Sequence, residues 1–109
     1  MSDRRSGAER RKHPRIKVNY AIEWENHSGL RAGTMSDVSV GGCFILGPGH
    51  VANGETIHVY LPLTSGNKAK FTAEVRDVIY DIGFAVKFVE LSAVQSEFLE
   101  RFVEANTTN

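Results

Sequence analysis

The run IKVNYAIEW, Ile16 to Trp24, alternates the apolar residues Ile16, Val18, Tyr20, Ile22 and Trp24 with Lys17, Asn19, Ala21 and Glu23. A period of two sends successive side chains to opposite faces of an extended chain, so one face suits a core and the other suits water. Nothing before this run has any such pattern. Residues 1–14 hold almost no large apolar side chain, so burial cannot offset the entropy lost on ordering them. A mobile arm is expected there.

The same period recurs downstream. After the turn residues Asn26-His27-Ser28-Gly29, a second strand is expected from Leu30 to about Val38, less cleanly patterned and containing Gly33. Gly41-Gly42 break the backbone before Cys43-Phe44-Ile45-Leu46, which Gly47-Pro48-Gly49 end. Ile57, Val59 and Leu61 oppose Thr56, His58 and Tyr60 until Pro62 stops the pattern. Phe71, Ala73 and Val75 oppose Lys70, Thr72, Glu74 and Arg76; then Ile82, Phe84, Val86 and Phe88 oppose Gly83, Ala85 and Lys87. Six short strands separated by turns predict a sandwich or a small barrel.

The period changes near the end of the chain. Ser92 and Gln95 have capping-box spacing, and Val94, Phe98, Leu99, Phe102 and Val103 form one helical stripe, with Gln95, Glu97, Glu100, Arg101 and Glu104 away from it. This predicts a helix over about 92–105 that packs on the strands or on a partner. The expected organisation is an arm (1–14), one domain (15–105) and a short tail (106–109), since 109 residues suffice for one modest core.

Charge is balanced overall and uneven along the chain. Lys plus Arg and Asp plus Glu each number 13, so no whole-molecule field attracts a polyanion. Arg4, Arg5, Arg10, Arg11, Lys12, Arg15 and Lys17 nevertheless lie within the first 17 positions, leaving a net acidic body. Cys43 is the only cysteine, which excludes an intrachain disulfide. No apolar leader and no run near the roughly 20 residues of a membrane helix are present, so a cytoplasmic location without membrane insertion is expected. His13, His27, His50 and His58 lack metal-ligand spacing. No phosphate loop, dinucleotide fingerprint or nucleophile elbow occurs. No enzymatic activity, metal or cofactor is expected.

Two motifs carry chemistry. Arg11 and Arg15 form R-x-x-x-R just ahead of the first strand, and Asp37-Val38-Ser39-Val40-Gly41-Gly42 reads D-x-S-x-x-G at the end of the second. Arginine pairs bidentately with phosphate, hydrogen-bonds guanine O6 and N7, and stacks on a purine face. A carboxylate at Asp37 accepts from guanine N1 and N2, Ser39 bonds a phosphate oxygen or base edge, and Gly41-Gly42 let backbone amides approach a ligand. Taken singly, the first motif is also a solvated basic tail and the second is also turn chemistry.

Together, in this order, they resemble the PilZ family. The resemblance runs over nearly the whole chain: E-R-R-x-x-x-R from Glu9 to Arg15, D-V-S-V-G-G-C-F-I from Asp37 to Ile45, and I-G-F-A-V-K-F-V-E-L-S from Ile82 to Ser92 before a terminal helix. It implies an all-β fold with one C-terminal helix, a six-stranded antiparallel barrel, and a cyclic di-GMP site on the barrel exterior. Carried over, Arg11 and Arg15 hold phosphates and stack on guanine, while Asp37, Ser39 and Gly42, with neighbouring Gly41, contact a guanine. Arg10 becomes a third arginine. In the family, an arginine just ahead of R-x-x-x-R accompanies an intercalated cyclic di-GMP dimer and an apolar residue a single ligand. Arg76 and Tyr80 are further candidates for the same face. The implied function is a non-enzymatic bacterial receptor whose arm changes conformation and signals to an unidentified downstream protein. Two other readings stay open: a ligand-blind interaction module, and nucleic-acid binding through the basic arm.

Overall fold

A computed structural model describes residues 15–63 and 65–107. The expected arm, with Arg10 and Arg11, lies outside the described residues. Six strands follow in chain order: β1 (Ile16–Asn26), β2 (Gly29–Val38), β3 (Gly42–Leu46), β4 (Thr56–Pro62), β5 (Lys68–Ile79) and β6 (Gly83–Val89). Among the described residues one helix follows the strands, α1 (Ala93–Thr107). Every strand pairing is antiparallel. The order β1-β2-β3-β6-β5-β4 closes on itself into a barrel. Closure leaves no sheet edge open to pairing with another chain.

The period of two dictates the core. Ile22, Trp24, Val59, Leu61, Phe71 and Val86 are among the inward residues that are almost wholly buried. Trp24 meets Phe84 edge-on, with ring centroids 5.0 Å apart. The nearer half of β1, with Ile16, Val18 and Tyr20, is only half-buried and packs against that core. Register shifts mark three irregularities, between Lys17 and Tyr20 on β1, Met35 and Asp37 on β2, and Val75 and Asp77 on β5. Each places one extra residue on one strand and re-aims the side chains beyond it.

The helix seals the barrel through aromatic contacts. Tyr20, Phe102, Phe98, Phe71 and Phe88 form a chain with centroid separations of 5.3, 5.8, 5.7 and 5.4 Å. The capping box is present: Ser92 N donates to Gln95 Oε1 at 2.9 Å and Gln95 N to Ser92 Oγ at 3.0 Å.

Two expectations need correction. Ile82, assigned inward on β6, is exposed. It sits in the β5–β6 turn, where its N–H donates to Ile79 O at 3.0 Å, so the pleat does not reach it. Val94, assigned to the apolar stripe of the helix, is also exposed, and Leu99 is the fully buried residue. The rest of the expected stripe, Phe98, Leu99, Phe102 and Val103, packs against the core, with bonds from Gln95 Nε2 to Lys70 O (3.0 Å) and from Tyr20 Oη to Asn106 Oδ1 (2.8 Å) alongside it. Pro62, expected to stop the fourth strand, is its last paired residue, opposite Lys68.

Candidate ligand-binding site

The β1–β2 ladder brings the two motifs together. Ile16 faces Val38 and Lys17 faces Asp37, so Arg15, one residue ahead of β1, reaches the end of β2. Arg15 Nε donates to Asp37 Oδ1 at 3.2 Å, and Nη2 lies 3.2 Å from the same oxygen. The two side chains are 44% and 26% exposed, so the pair sits on the barrel exterior. Among the described residues, the bonds to the Asp37 carboxylate fall on Oδ1.

Beyond Asp37 the chain turns into β3. Ser39 is buried, its N–H donates to Gly42 O at 2.8 Å, and its Oγ accepts from Gly41 N at 3.0 Å. Gly41 O accepts from Phe88 N at 2.9 Å. Gly42 is a matter of space: a Cβ there would lie 2.1 Å from Val86 O, a backbone atom that cannot yield without moving β6. The motif glycines and serine thus build a tight turn that fixes Asp37 beside Arg15.

The electrostatics agree with that placement. The Cys43 thiol, wholly buried next to the turn, is pushed up to about 12, first by burial and then by the nearby Asp37 carboxylate, with Arg15 opposing. A thiol held so far above neutrality is inert, and Cys43 serves packing.

Arg15, Asp37, Ser39, Gly41 and Gly42 are therefore clustered, while Arg10 and Arg11 lie outside the described residues. The two further candidates are placed differently. Arg76 is exposed on β5 and lies 3.4 Å from Glu74 Oε1. Tyr80 is exposed in the β5–β6 hairpin. That hairpin adjoins Gly83, opposite Leu46 at the far end of β3 from Gly42, roughly 13 Å along the strands at about 3.3 Å per residue. Tyr80 is not part of this cluster. Among the described residues no group of three or more His, Cys, Asp or Glu side chains can hold a metal ion, and no helix is long and apolar enough to cross a membrane.

The register exposes neighbours that the motifs did not name. The outer face carries a cross-strand row of Lys17, Asp37, Phe44, Ala85 and Asp77, with Gly42 and Lys87 paired one step nearer the turn. The signal for Phe44 was its parity between the inward Cys43 and Ile45, an assignment that needs the barrel's inside to be known.

The described residues form a closed antiparallel barrel with an exposed acid–base pair, Arg15 and Asp37, on its outer wall. The chain belongs to the PilZ domain family, whose sequence profile matches residues 9–105. No curated protein matches it in sequence. Among solved structures, the PilZ domain of CeSA from a cellulose-synthesizing bacterium aligns over 84% of this chain and 96% of its own, with 19% identity and a TM-score of 0.68. The PilZ domain of Escherichia coli YcgR, determined with c-di-GMP, aligns over 89% and 91%, with 18% identity and a TM-score of 0.71. Bacillus subtilis MotI, an inhibitor of motility, aligns over 91% of this chain and 53% of its own, with 15% identity and a TM-score of 0.71. The likeness to these structures is one of fold.

Proposed function

We propose that this domain is a non-enzymatic cytoplasmic receptor for cyclic di-GMP. The observation that carries the reading is the Arg15–Asp37 pair beside the Ser39–Gly42 turn, a cation and a carboxylate held together on the barrel exterior of a PilZ domain. Support comes from the c-di-GMP present in the YcgR PilZ structure of the same fold. In this reading Arg11 and Arg15 bind phosphate and stack on guanine, Arg10 adds a third guanidinium, and Asp37 accepts from the guanine N1 and N2 donors. Ser39, Gly41 and Gly42 shape the wall against which the ligand lies. The arm changes conformation when it folds over the ligand, and the altered surface is read by a downstream protein, because the domain itself carries no output chemistry.

Titration calorimetry with cyclic di-GMP tests the reading, with cyclic di-AMP and short DNA as controls. The expected result is a micromolar or tighter dissociation constant, about −8 kcal/mol or more favourable, with weak binding of the controls. Hydrogen exchange should show protection gained around Arg10 to Arg15 on binding. Absence of heat at hundreds of micromolar ligand would reject the receptor, and equal, strongly salt-dependent binding of DNA would favour a nucleic-acid surface instead.

A further inference from the structure

We propose that Phe44 is a stacking platform for a guanine of the ligand, with Lys87 beside it as a phosphate contact; this rests on the cyclic di-GMP reading and names residues outside both motifs. On β3, Cys43 and Ile45 are fully buried while Phe44 between them is half-buried. Alternation therefore turns the phenyl ring to the outer wall of the barrel. The ring is not among the side chains packed against the core, and no described aromatic ring is stacked on it.

The surroundings of Phe44 suit a planar guest. Its cross-strand partners are Asp37 on one side and Ala85 on the other, and Gly42 lies two residues back along its own strand. Gly42 and Ala85 offer no side chain large enough to cover the ring. A base laid on it would turn its edge toward the Asp37 carboxylate, whose Oδ1 pairs with Arg15. Lys87 lies opposite Gly42 and is exposed. None of the described ion pairs involves it. Aromatic platform, carboxylate acceptor and flanking cations on one strip of surface match the three parts of a purine nucleotide: face, edge and phosphate.

Two variants read this out with cyclic di-GMP as the probe. Phe44→Leu keeps the apolar bulk and removes the π face, so affinity should fall about tenfold, with the thermal midpoint unchanged. Phe44→Trp should keep affinity within a few-fold and place a fluorophore on the site, its emission quenched as ligand saturates. Trp24, the protein's one native tryptophan, is fully buried and supplies a steady background. Parent-like binding by Phe44→Leu, or ligand-saturated Phe44→Trp without quenching, overturns the platform while the receptor stands. Failure of the unmodified domain to bind rejects the receptor itself and the platform with it. Should Phe44→Leu fold poorly, the tryptophan variant decides alone.

Discussion

At the scale of single residues, the Arg15–Asp37 pair means more for recognition than for stability. Both side chains are substantially exposed, and exposed ion pairs contribute about 0–1 kcal/mol. A guanidinium meeting a phosphate makes stronger, charge-assisted bonds, so Arg15→Ala should weaken cyclic di-GMP binding by about 2 kcal/mol, roughly thirtyfold, while leaving the thermal midpoint almost unmoved. Asp37→Ala should act on choice of base: a carboxylate that accepts from guanine N1 and N2 has no such donors to meet on adenine, so the preference over cyclic di-AMP should narrow. Calorimetry on the two variants checks both, and an Asp37→Ala protein with undiminished guanine preference would remove Asp37 from the base edge. That Arg15 and Asp37 lie together was legible only through the family resemblance, since each motif taken singly also reads as a basic tail or as turn chemistry. That the Ser39 hydroxyl accepts from the Gly41 N–H was not legible, since turn-building and ligand-binding serines look alike in sequence.

At the scale of elements, local pattern located all six described strands, although register shifts break the alternation on β1, β2 and β5. It failed where a side chain left the pleat, as at Ile82, and at the first turn of helix α1, where Val94 is exposed although Phe98, Leu99, Phe102 and Val103 pack as the stripe predicts. The contrast gives a stability prediction. Leu99 is fully buried whereas Val94 is 76% exposed, so Leu99→Ala should cost about 2–5 kcal/mol by loss of burial and cavity formation, and Val94→Ala should change stability by no more than about 0.5 kcal/mol. Denaturant unfolding of the two variants measures the difference, and equal losses would mean that the apolar stripe is seated as the bare pattern suggests. Pairing of β4 with β1, which closes the barrel, was not legible in any local run; only the resemblance to a family implied it.

At the scale of the whole molecule, the charge balance bears on how many ligands are held. With 13 basic and 13 acidic residues the chain has zero formal net charge, so anionic ligands must be neutralised by local cations rather than by a general field. One cyclic di-GMP brings two phosphate charges and two stacked ligands bring four. Arg11 and Arg15 match the first load, and a third guanidinium at Arg10 adds both countercharge and a flat surface for another guanine. The resemblance to PilZ domains, in which an arginine just ahead of R-x-x-x-R accompanies an intercalated dimer, makes two ligands per protomer the expected ratio. Arg10→Leu should move it toward one and lower the affinity, because the second ligand loses its cation while the Asp37 edge is untouched. Arg4→Ala, further up the same basic run, should do neither, which separates a placed arginine from a merely cationic tail. Calorimetry on protein of verified active concentration gives the ratio directly. A value near one in the unmodified domain would refute the paired ligand, and an unchanged ratio in Arg10→Leu would show that Arg10 does not hold the second.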